Sequence, residues 1–188
     1  MIVGLITFGL MWGDWFLTTL QERERSRHYA EHYQSYPINT IEGNPLLQSS
    51  VKKARLIEVR HILIAAVLSA AVAFAVTIFQ APYRELFLGY VWGLFLIVGH
   101  THLGNLIGYR ASRRGLHGKL YLHQRTGLLV QMGRYAALTL LLVILAACSA
   151  SIFIAGTAIA SLTSTLRQLI WLRKVPGIPE DDLPPEAG

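Results

Sequence analysis

Long apolar runs separated by short charged stretches dominate the chain, and their lengths match a bilayer. Runs over 2–20, 56–79, 86–108 and 135–158 each come close to or exceed the roughly 20 residues that a helix needs to cross about 30 Å of hydrocarbon. The pattern predicts an all-α, polytopic transmembrane helical bundle: one membrane domain over 1–175 with about four spanning helices. The tail over 176–188 is proline-rich and acidic, hence disordered by expectation.

The stretch 128–166 is too long for one crossing and short for two with a turn. It is therefore assigned to a crossing over 135–158 that continues into an interfacial helix over 164–175. In that helix Leu162, Leu166, Leu169 and Ile170 face one way and Arg167 and Lys174 the other, with Trp171 suited to the headgroup region. Before the second run, Asn44 fits an N-cap and Pro45 the first helical position, so a helix is expected over 45–79. The charged stretch 21–36 lacks glycine and proline, so the first helix is expected to run past the membrane until Pro37 stops it.

The bundle is organised around residues 89–110, GYVWGLFLIVGHTHLGNLIGYR, which place two histidines and an asparagine inside an apolar run. His102, Asn105 and Tyr109 share one helical face, and His100, Gly104 and Gly108 line its neighbour. Unpaired polar groups in hydrocarbon cost several kcal/mol each, so these side chains need partners. Gly89/Gly93 and Gly104/Gly108 are small-xxx-small pairs that admit another helix closely. They are the expected faces for a homo-oligomer or for partner membrane subunits.

Composition agrees with the lipid bilayer as solvent: 53% of the 188 residues are apolar and 15% charged. The net charge of +6 does not indicate nucleic acid, because the basic residues flank the apolar runs. Six Lys and Arg residues fall in 21–55 and five in 109–127, against one in 80–85. By the positive-inside rule those two loops are cytoplasmic, in the cell membrane, and the N-terminus is outside. Four crossings would then leave Arg167, Arg173 and Lys174 outside, a conflict that a fifth crossing or a re-entrant segment would remove. The single cysteine, Cys148, allows no internal disulfide.

Candidate chemistry starts from Asp14, an intramembrane carboxylate on a stripe with Thr7, Met11 and Thr18. Counted from Leu20 and Gly108, Asp14 and His102 lie at one depth, about 9 Å inside the cytoplasmic boundary, so they can meet. His100 and His102 are the candidate metal ligands, but no HExxH, serine nucleophile motif or phosphate-binding loop accompanies them. His28 and His32 have ligand spacing without a third donor and read as surface residues. Glu58 is placed to pair with Arg55 or His61.

Asp14-x-x-x-Thr18 followed by Glu42-x-Asn44-Pro45 resembles a group of small prokaryotic membrane proteins of uncharacterised function in which these two motifs recur in this order. The resemblance covers about residues 1–60, and this chain departs from it by the insertion over 21–40. It implies that Asp14, Glu42 and Asn44 belong to one site, and it implies no activity or cofactor. Three functions follow from the residues: an accessory or assembly subunit of a membrane complex; a cation- or proton-linked transport or binding protein using Asp14 and His102 with Asn105 orienting; and a metal-dependent membrane enzyme.

Overall fold

In hydrocarbon a backbone must satisfy its own N–H and C=O groups, and the apolar runs do so as helices. A computed structural model of the chain describes residues 1–30, 45–115 and 124–175, and every regular element among them is helical. α1 (Ile2–Glu24) continues into a π-helical turn (Arg25–Tyr29); α2 (Pro45–Lys52), α3 (Val59–Ile78), α4 (Tyr83–Gly115), α5 (Gln124–Ser149) and α6 (Ile152–Lys174) follow. Ile2–Arg27, Val59–Ile78, Tyr83–Gly115 and Gln124–Ser149 are long and apolar enough to cross a membrane. Large apolar side chains such as Val67, Phe74, Leu96 and Leu140 lie exposed on the outside, as lipid-facing positions do. The expected all-α membrane bundle is the architecture found.

Two elements divide where the apolar pattern predicted continuity. Pro45 opens α2, but the helix expected over 45–79 breaks at Ala54, whose φ is 51°. Extended Glu58 caps α3 by accepting from the Arg60 N–H at 3.4 Å. α2 folds back so that Leu47 and Val51 bury against Trp15. The crossing expected over 135–158 is likewise split: Ala150 takes φ 51°, and the Ser151 hydroxyl accepts from the Ile154 N–H at 3.3 Å. The chain reverses there, and the interfacial helix expected over 164–175 is instead the second half of α6. Its Ser164, Gln168 and Leu172 are buried against the bundle, and Leu162, Leu166, Ile170 and Trp171 are exposed.

Register contacts set the helix directions. His61 Nε2 of α3 lies 3.2 Å from the Met11 carbonyl, while a Cβ on Gly4 would touch Ala73, so α1 and α3 are antiparallel. α1 runs parallel to α4, with the Trp92 indole donating to Thr7 Oγ1 at 3.0 Å near one end. α4 and α6 are also parallel and approach through glycines. A Cβ at Gly89 would strike the Phe153 carbonyl, and one at Gly156 the Leu86 carbonyl. Thr157 Oγ1 donates to the Gly89 carbonyl at 3.1 Å across this seam. α5 returns antiparallel to α6, where Thr139 Oγ1 donates to Ser161 Oγ at 2.9 Å and that hydroxyl to the Tyr135 carbonyl at 3.1 Å. Ile97, Tyr135 and Ala160 close a core among α4, α5 and α6.

The Gly89/Gly93 face expected to meet another subunit is thus filled by this chain's own α6. Among the described residues, nothing lies within 4 Å of where a side chain on Gly104 or Gly108 would begin.

Candidate functional site

Asp14 and Gln21 lie seven residues apart on α1, which puts both on the side facing α4. His102 of α4 enters between them. Its Nε2 is 3.5 Å from Asp14 Oδ1 and its Nδ1 is 2.6 Å from Gln21 Oε1. The histidine and aspartate side chains are 17% and 26% exposed, whereas Gln21 is buried. Arg167 of α6 stands within electrostatic range of the imidazole.

The seam continues one turn further along α1. Buried Glu24 pairs with Arg113 and, at 3.8 Å, with Arg110, both from α4. Glu22 is held by two guanidinium N–H groups of Arg25, at 2.7 and 3.3 Å. The Tyr29 and Tyr109 rings meet at 4.7 Å. α1 and α4 are therefore joined by Thr7 to Trp92, by Asp14 and Gln21 to His102, and by Glu24 to two arginines.

What the cluster can do follows from its donors and acceptors. With Gln21 Oε1 accepting from Nδ1–H, the nitrogen facing Asp14 either carries a second proton or accepts one from a protonated carboxyl. Turning the amide presents its NH₂ to Nδ1 instead, and Nε2–H then donates to an ionised Asp14. These arrangements differ by one proton. Gln21 can serve both, so it lets the Asp14 and His102 pair gain or lose a proton without leaving a buried group unmatched.

Trp15 Nε1 donates to the Leu56 carbonyl at 3.0 Å, and Trp15 stacks on His61 at 4.7 Å. The connection between α2 and α3 is thus level with Asp14.

The remaining expected residues scatter. Thr18 is buried on α1, one turn beyond Asp14. Half-buried Asn105 orients neither Asp14 nor His102, since its side chain makes no hydrogen bond among the described residues. His100 is exposed on the far side of α4, in a groove with Arg134. Two positions on a helix diverge by about 200°, so His100 and His102 do not converge on one metal. Among the described residues no group of three or more His, Cys, Asp or Glu side chains is placed to hold one. Glu42, Asn44 and His32, and the side chain of His28, lie outside the described residues.

Glu58 pairs with Arg55 at 4.0 Å, as its spacing allowed, and accepts from the Ser50 hydroxyl at 2.5 Å. That hydroxyl holds the Glu58 carboxyl below the usual carboxylate range, helped by the Arg60 N–H and opposed by burial.

Gln21, Glu24, Arg110 and Arg113 were not singled out by sequence. Gln21 follows Asp14 by seven residues, and that interval was the available signal. Compared with protein families, curated proteins and solved structures, the chain matches none.

Proposed function

We propose that this small multi-pass membrane protein is proton-linked, with Asp14 and His102 as the group that takes up and releases the proton. The observation that carries this is the place of His102, between Gln21 Oε1 at 2.6 Å and Asp14 Oδ1 at 3.5 Å. A histidine and a carboxylate in contact at the edge of a membrane are a standard device for holding one exchangeable proton. Since the two sit on different helices, gain or loss of that proton changes what joins α1 to α4, which ties protonation to helix position.

The test is a pH titration of the reconstituted protein, following the Asp14 carboxyl band by infrared and the His102 ring nitrogens by ¹⁵N NMR. Between about pH 4 and 9 both signals should move together, through one shared transition. In Asp14→Asn the His102 transition should shift, and in His102→Gln the Asp14 transition should shift. Independent transitions, unmoved by replacing the partner, would overturn the proposal.

A second reading, an accessory or assembly subunit, is favoured by the open surface at Gly104 and Gly108, where a neighbouring helix would fit. It predicts a stoichiometric membrane partner, or a second copy of the chain, after purification in mild detergent. Leucine at Gly104 or Gly108 should release it.

A further inference from the structure

A groove of about 420 Å³ opens between α4 and α5, on the side of α4 away from Asp14 and independent of that site. Its two ends differ. Ile97, Ala137 and Leu138 form the end nearer the middle of the helices, and His100, Gly104, Gln131 and Arg134 the end nearer the basic face. Thr101 and Tyr135 join their hydroxyls at 3.1 Å in its wall, and Gln131 donates to the same phenol at 3.3 Å.

Arg134 is the unbalanced group. It is exposed and forms no ion pair among the described residues. The chain has no aspartate or glutamate between Glu85 and Glu180, so α5, α6 and nearly all of α4 offer it no carboxylate. Arg134 stands 15 residues, about 22 Å, from the end of α5 at Ser149, within roughly 8 Å of the basic edge of a 30 Å hydrocarbon layer. From there a guanidinium reaches the headgroup region along its own stem.

We propose that this groove binds an anionic glycerophospholipid, its headgroup phosphate on Arg134 and His100 and an acyl chain along Ile97, Ala137 and Leu138. A guanidinium matches a phosphate through paired N–H groups, and the lipid supplies the negative charge that this half of the chain lacks. Among the described residues nothing lies within 4 Å of where a Gly104 side chain would begin, which leaves room for the glycerol region.

The experiment measures thermal unfolding and retained lipid by native mass spectrometry, with phosphatidylglycerol or phosphatidylcholine added to the full chain in mild detergent. Phosphatidylglycerol should stay bound and raise the melting midpoint, and phosphatidylcholine should not. Arg134→Gln should weaken phosphatidylglycerol about ten-fold, with Arg134→Lys between it and wild type. Gly104→Leu should block the groove without touching the charge. Equal effects of the two lipids, or full phosphatidylglycerol binding by Arg134→Gln, would overturn the proposal. So would binding that appears only after truncation at Val175, because the acidic tail would then be the occupant. A co-purifying protein lost in Arg134→Gln, with neither lipid having an effect, would also exclude it.

Discussion

Thr7 shows how much one hydroxyl carries where water is scarce. It donates to the Val3 carbonyl at 2.9 Å and accepts from the Trp92 indole at 3.0 Å, and it is 1% exposed. Thr7→Val keeps the shape and strands the indole N–H, which should cost about 1 kcal/mol in thermal unfolding, whereas Thr7→Ser should cost little. At the basic end, Glu58 makes stability depend on acid. Its carboxyl is held lower in the folded chain than in the unfolded one, so its contribution is present above the ordinary value of 4.5 and is lost as pH falls through the lowered one. Glu58→Gln should lower stability at neutral pH, leave it nearly unchanged at the acid end where that contribution is already lost, and so flatten the acid side of the profile. Asp14 and His102 were legible as partners because burying either alone is costly. Gln21 was not, because a polar residue just past an expected boundary looks like one already in water.

At the scale of elements, glycine spacing and glycine use came apart. Gly89/Gly93 and Gly104/Gly108 have the same spacing on α4, yet among the described residues only the first pair is pressed against another helix. Leucine at Gly93 meets Thr157 and should destabilise by about 1–3 kcal/mol or more, whereas alanine at Gly108 should be nearly neutral in the isolated chain; melting in detergent separates the two. The partner of Gly89 was hidden because α6 was not recognised as one helix. Its boundary with α5 has neither glycine nor proline and turns on Ala150, in a left-handed conformation that alanine adopts reluctantly. The one local signal was Ser151, an N-cap residue inside an apolar run. Ala150→Gly should stabilise the hairpin by about 1 kcal/mol, read as a raised melting midpoint.

Across the whole molecule, the direction of α6 bears on the charge conflict that four crossings left. With α5 and α6 as a hairpin, Arg173 and Lys174 return to the end that holds Arg23, Lys52, Arg113 and Arg125, and Arg84 alone among the described basic residues stands at the other. We expect five crossings, with the N-terminus outside and residue 175 in the cytoplasm. In a Cys148→Ser background, a cysteine at Gln80 should react with an impermeant maleimide on intact cells, and one at Arg173 only after permeabilisation. Labelling of Arg173→Cys from outside would restore the four-crossing topology.

The directions of the helices have an electrical consequence. α1, α4 and α6 lie side by side and point the same way, so their peptide dipoles are stacked in parallel and repel across a medium that screens them weakly. The glycine contact between α4 and α6 brings two of these dipoles especially close. Each of the three carries cations in its last turn, at Arg23, at Arg113 and Arg114, and at Arg173 and Lys174, where about half a negative charge accumulates. At α4 and α6 these side chains cancel part of the field that would push the helices apart, whereas the last turn of α1 also holds Glu22 and Glu24. Neutralising all of them would loosen this parallel trio and leave α3 packed against α1 as an antiparallel pair, in which the two fields already oppose.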